Sequence, residues 1–256
     1  MKIGAMNHPE REIISEIKNF SSIGMDFVDI SYEWPSNIKF NTSEIRNVLK
    51  EIKLGLVGHS NPSLPAIYPL KAVRDAVYEE LIKTVNFFKE VGADKVNIHP
   101  FYYAGFMNES DIIRENINLL NKLSHYCGEQ EIDLMLENFI PPFHSPQIFQ
   151  IILKEVPALK VHIDVAHLNF TGDLYLSLEN FIDRFGKKII HYHMHDNKGK
   201  KDDHLPLGCG NIDWGKVAKI IKKSGYDGTF TLEVFCSDCA YIKYSKEKWE
   251  KAWMDN

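Results

Sequence analysis

Short apolar runs and longer stretches with helical spacing alternate along the whole chain. The runs at 2–6, 27–33, 54–60, 95–100, 133–139, 159–168, 189–196 and 228–235 predict strands. Between them, 10–23, 43–52, 71–91, 109–129, 146–154, 177–185 and 214–223 predict helices, and 241–252 predicts a last one. Eight strands alternating with helices are what a closed parallel barrel needs. The expected fold class is therefore α/β, a single (β/α)8 TIM barrel. No Pro/Ser-rich linker or low-complexity tract interrupts the pattern, so 1–256 is read as one domain. An open doubly wound sheet is the alternative, but no GxGxxG turn follows the first strand.

Composition narrows the reading only a little. With 44% hydrophobic and 25% charged residues the chain is ordinary globular material. It shows neither a signal-like apolar start nor a stretch long enough to span a bilayer, and a cytoplasmic protein with no membrane partner is expected. Cys127, Cys209, Cys236 and Cys239 are too few for a disulfide scaffold, and the lone CxxC at 236–239 has no second pair to complete a zinc site. The net charge of −5 argues against nucleic acid. That argument weakens if bound dications offset the acids described next.

Position is what points to chemistry. The active site of such a barrel lies at the C-terminal ends of its strands. Here those ends read Val28-Asp-Ile-Ser-Tyr-Glu33, Leu56-Val-Gly-His59, Val96-Asn-Ile-His99 and Leu134-Met-Leu-Glu137. They continue with Val161-His-Ile-Asp164, then His167, His191-Tyr-His193-Met-His195 and Phe230-Thr-Leu-Glu233. Taken singly, a strand-end histidine is commonly a satisfied polar residue and an acid a helix cap. A barrel, however, brings them together, and acids crowded beside imidazoles are costly without a shared cation. Mixed nitrogen and oxygen ligation suits Zn²⁺, Mn²⁺ or Co²⁺. His191, His193 and His195 alternate, so all three face one way, with His191 expected deepest and packed. The loop Asp196 to Trp214 returns Asp202 and His204 towards the same mouth before a Gly208-x-Gly210 turn. Lys198, Lys200 and Lys201 in that loop are read as solvated.

Several of these segments together resemble the xylose isomerase-like TIM barrels, a superfamily of sugar and sugar-phosphate isomerases and epimerases that includes endonuclease IV. The resemblance is carried by Leu136-Glu137-Asn138, Ile163-Asp164-Val-Ala-His167, His193-Met-His195-Asp196-Asn197, Asp202-Asp-His204-Leu-Pro-Leu-Gly208-x-Gly210-x-Ile-Asp213-Trp214 and Leu232-Glu233-Val234. It implies a divalent metal on Glu137, Asp164, His193 and Glu233. Glu137 and Glu233 would also exchange protons with the substrate through a metal-stabilised enediolate. Glu33, His167 and His195 are then expected to contact a small sugar, polyol or sugar phosphate, and a homo-oligomer is left open. The endonuclease branch implies further ligands. His59 and His99 would join Glu137, and His167, Asp202 and His204 would hold another ion, giving two or three metals and a zinc phosphodiesterase of abasic DNA as the alternative. Against that branch, the first strand ends Ala5-Met6-Asn7, Ser-Asn-Pro follows His59 and Phe-Ile-Pro-Pro follows Asn138. The chain also has less material for loops that grip DNA.

Overall fold

The computed structural model describes every residue except 103, 104, 106 and 237. Eight strands close into one barrel in sequence order, every neighbouring pair parallel. They are β1 (Lys2–Met6), β2 (Phe27–Tyr32), β3 (Gly55–Ser60), β4 (Lys95–Ile98), β5 (Asp133–Glu137), β6 (Lys160–Asp164), β7 (Ile189–Met194) and β8 (Thr229–Leu232). The helices are α1 (Ile13–Ser22), α2 (Thr42–Ile52), α3 (Lys71–Val91), α4 (Glu109–Glu129), α5 (Pro146–Glu155), α6 (Val165–Thr171), α7 (Leu174–Phe185), α8 (Trp214–Lys223) and α9 (Ala240–Met254). Among the described residues no helix is long and apolar enough to cross a membrane.

Alternation along each strand divides the protein into two environments. Val28, Ile30, Val96, Ile98, Leu134, Leu136, Val161, Ile163, Tyr192, Met194, Phe230 and Leu232 are buried in the main core with Phe20, Phe88, Leu120, Phe149, Phe181, Val217 and Trp249 of the helices. Each such side chain contributes roughly 1.5–3 kcal/mol on burial, so this outer shell supplies the bulk of the cohesion. Phe27, Val57 and Met135, of opposite parity, form a separate small cluster with Ile190 against it, the apolar plug at the barrel floor. Ile190 reaches that plug because the β6–β7 register slips, with Val161 opposite Ile189 but His162 opposite His191. Gly4 leaves room for the plug, since a Cβ there would stand 2.4 Å from the Phe27 ring.

The strands stop earlier than their hydrophobic patterns suggest. Expected ends at 33, 100, 139, 168, 196 and 235 become 32, 98, 137, 164, 194 and 232. The largest overrun has a clear cause. The Asp164 carboxylate accepts the His167 backbone N–H at 2.7 Å, capping α6 where strand was expected. Capping also resets α7, which begins at Leu174 because Asp173 accepts from the backbone N–H groups of Tyr175 and Leu176.

Candidate metal and catalytic centre

The inward positions nearest the C-terminal strand ends carry the polar residues. Glu137 and Asp164 are fully buried at the ends of β5 and β6, His193 is fully buried on β7, and Glu233 follows β8 at 8% exposure. One ligand atom from each of these four lies within 4.8 Å of the other three. Asn138 sets the spacing of the first two: its side chain donates to the Asp164 carbonyl at 3.0 Å and accepts the Asp164 N–H at 2.8 Å. A register slip between β5 and β6 would break both bonds.

A second ring of imidazoles surrounds this quartet. His99 Nε2 lies 3.2 Å and His59 Nε2 3.7 Å from Glu137 Oε2. The segment after β7 arches over the mouth, where one oxygen of Asp202 meets His167 Nε2 and His204 Nε2, each at 3.2 Å. The other oxygen of Asp202 faces His195 Nε2 at 3.3 Å, and the His195 and His204 rings stack at 4.2 Å. His167 and His204 present Nε2 because Nδ1 donates to a carbonyl in each, Asn138 O at 2.8 Å and Glu233 O at 3.2 Å. His195 also lies 3.3 Å from Asp164 Oδ2, which places it among the carboxylates. Glu33 stands apart, half-buried and bonded to the Ser31 hydroxyl at 2.6 Å.

The arch is braced by Asp196. Its carboxylate accepts from Asn197 N, Gly208 N, Ile212 N and Trp214 Nε1 at 2.8–3.3 Å, and Asp196 pairs with Leu205 across an antiparallel bridge. Gly210 is required where the chain returns. A Cβ there would lie 2.1 Å from Asn197 O and 2.2 Å from Asp196 Oδ1. Of the lysines in this loop, Lys201 pairs with Asp203 at 2.9 Å. All four cysteines are free, and Ser237 of the CxxC segment lies outside the described residues.

Some residues at this centre carry no strand-end signal. Asp29, fully buried on β2, has one oxygen 3.0 Å from His193 Nε2. Asn97 donates to Glu137 Oε2 and takes a bond from His162 Nδ1 at 2.8 Å. Each stands on the same strand parity as a predicted site residue: Asp29 with Glu33, Asn97 with His99, His162 with Asp164. Parity is the signal that finds them.

Electrostatics makes the centre a trap for positive charge. Burial opposes ionisation at every one of these groups, and opposite charges overcome it at most. His204 and His193 hold Glu233 down at about 2, and His99 and His162 hold Glu137 well below the usual carboxylate range. Asp164 and Asp202 raise His167 to about 10, and Glu233 and Asp202 raise His204 to about 9. His162, lower down, yields to burial and its neighbour His193 and falls to about 4. Eight buried atoms at the mouth find no hydrogen-bond partner: both ring nitrogens of His59 and of His195, His99 Nδ1, Glu137 Oε1, Asp164 Oδ2 and Asp202 Oδ1. A buried polar atom left without a hydrogen bond costs roughly 1–3 kcal/mol, so a ligand that engages several of these at once is favoured. Lone pairs of mixed nitrogen and oxygen character around buried carboxylates fit a divalent transition metal.

A closed (β/α)8 barrel with imidazoles and carboxylates gathered at its strand ends defines the class. The chain belongs to the xylose isomerase-like TIM barrel family, whose model matches residues 17–256. It is 29% identical over 212 residues to an uncharacterised protein of Methanocaldococcus jannaschii, covering 79% of this chain and 70% of that one. It is 23% identical over 261 residues to an L-ribulose-5-phosphate 3-epimerase of Escherichia coli, covering 91% and 87%. In three dimensions it superposes on a D-tagatose 3-epimerase-like protein with a TM-score of 0.90 at 24% identity, covering 100% of this chain and 98% of the other.

Proposed function

We propose that the protein is a divalent-metal-dependent isomerase or epimerase of a small sugar, polyol or sugar phosphate. The observation that carries this is the convergence of Glu137, Asp164, His193 and Glu233, three carboxylates and an imidazole, of which the two glutamates could move a proton as well as bind. The relatives named as 3-epimerases of ribulose 5-phosphate and tagatose support the substrate class. A bound dication would polarise a carbonyl and its neighbouring hydroxyl, acidifying the C–H between them. Glu137 and Glu233 would act as an acid–base pair. The ionised one would accept the proton from carbon while the electron pair shifts onto the carbonyl oxygen, and the other, having first taken a proton from solvent, would deliver it to the opposite face and invert the centre. His167, His195 and Glu33 would orient substrate hydroxyls.

Exchange of a substrate α-proton with solvent deuterium tests this. The wild type with Mn²⁺ or Co²⁺ should catalyse exchange on at least one member of a panel of ketoses and ketose phosphates. Glu233→Gln should keep the fold and abolish that exchange. A wild type inert across the panel, with and without metal, removes the reading.

One observation favours a second reading. Asp164–His167–His195 and His195–His204–Glu233 are further triads with ligand-competent spacing, and His59 and His99 flank Glu137. A site of several ions suits a phosphodiester, as in a zinc phosphodiesterase of abasic DNA. Elemental analysis with an assay of abasic-DNA nicking decides between them. Loss of both metal and nicking in a His59→Ala, His204→Ala double variant would promote the second reading.

A further inference from the structure

Beneath the mouth, hydrogen bonds run up the inside of the barrel with a single direction. Lys95 Nζ on β4 donates to Thr229 Oγ1 at 3.0 Å. The Thr229 hydroxyl lies 2.7 Å from His191 Nδ1 and 3.3 Å from the Ile190 carbonyl. A carboxylate only accepts, so the His191 proton belongs on Nε2, which faces Thr231 Oγ1 at 3.0 Å and Asp29 Oδ2 at 3.4 Å, and Nδ1 accepts from Thr229. Thr231 in turn donates its hydroxyl to the same Asp29 oxygen at 2.9 Å. Every bond in the series points towards one buried carboxylate. A carboxylate only accepts, so the last neighbour of that oxygen, His193 Nε2 at 3.0 Å, must also carry a proton.

We infer that Asp29 is a positioning residue that holds the Nε2 proton of His193 from behind and so leaves Nδ1 as the nitrogen able to give up its proton to a metal. Without metal, Nδ1 donates to Glu233 Oε2 at 2.9 Å, and a dication held by Glu233 would take the place of that proton. Edge-on packing on His162 at 4.0 Å and stacking on His59 at 5.6 Å hold the plane of the ring, and the contacts to Asp29 and Glu233 fix which edge faces each. The inference rests on His193 being a ligand, as proposed above. It adds that the selection of the coordinating nitrogen is made from below, by a network reaching the barrel floor at Lys95. A carboxylate or carbonyl behind a ligating imidazole typically governs affinity by 10–100-fold.

Metal binding to the whole protein tests this without any substrate. Titration with Mn²⁺ should show Asp29→Asn weakened by about 10–100-fold while its circular dichroism is retained. In a His193→Ala background the same substitution should change affinity no further, because its only route to the metal has gone. An unchanged affinity in Asp29→Asn overturns the inference, and so does an equal loss in both backgrounds, which would mark Asp29 as mere scaffolding. If Asp29→Asn does not fold, ¹⁵N NMR of the Zn²⁺-loaded wild type decides. A proton on His193 Nε2 with metal on Nδ1 supports the assignment, and metal on Nε2 refutes it. A wild type that binds no dication in either experiment removes the metal centre itself, a different failure from tight binding that ignores Asp29.

Discussion

The floor and the mouth of the barrel hold similar side chains in opposite conditions. On the floor side, Lys95, Thr229, His191 and Thr231 find partners for their polar atoms within 3.4 Å, and the two atoms left over are Asp29 Oδ1 and His162 Nε2. At the mouth, neither nitrogen of His59 or His195 makes a hydrogen bond, and three carboxylates each keep an oxygen with no hydrogen bond, only longer ion-pair contacts. Both regions are buried, so exposure does not separate them. What separates them is completeness. A scaffold satisfies itself, whereas a binding centre keeps its valences for something else.

The largest expected consequence concerns metal addition. Mn²⁺ or Co²⁺ at a thousand times its dissociation constant should stabilise the protein by about 4 kcal/mol, read as a rise in Tm. A Tm indifferent to every dication would erase the distinction between the regions. Substitution on the floor comes next. His191→Leu strands polar atoms of Thr229 and Asp29 and should cost about 1–3 kcal/mol while leaving metal stoichiometry unchanged. His59→Ala at the mouth should do the reverse, with little effect on the stability of the metal-free protein and a loss of bound metal. If His59→Ala proves the more destabilising, the contrast fails. The last contrast is pH dependence. His167 and His204 are raised from 6.5 to about 10 and about 9, so their stabilisation is complete below pH 6.5 and lost as pH rises through those values. The Tm of the metal-free protein should therefore fall between pH 7 and 10. Once metal has displaced those protons the alkaline fall should shrink, and an equal fall with and without metal would place these imidazoles outside the centre.

The fold was legible because period-two strands and helical stretches alternate eight times, a pattern few architectures share. The strand-end histidines and acids were legible because topology alone gathers them at one end. Depth within a strand was not. Asn97 and His162 sit two residues before His99 and Asp164, and Asp29 four before Glu33, where a polar residue reads as an ordinary interruption of an apolar run. Only the closed lumen, with nothing else to face, shows what they support. The reading of His167 as strand-borne failed locally, since Asp164 both caps a helix with one oxygen and turns the other to the centre. The Gly208-x-Gly210 signal was visible without its reason, which is the 2.1 Å approach of a Cβ to Asn197 O.

Four donors on one carboxylate make Asp196 the keystone of the arch above the mouth, and a keystone cannot serve as a hinge. Asp202 and His204 are thereby part of the masonry, not of a door. On the opposite rim the loops after β2 and β3 hold Trp34, Ile38 and Leu70 in the open. For protein engineering this divides the rim into a half to preserve and a half to diversify. Libraries aimed at new substrates belong at 34–38 and 61–70, with 196–214 carried over unchanged.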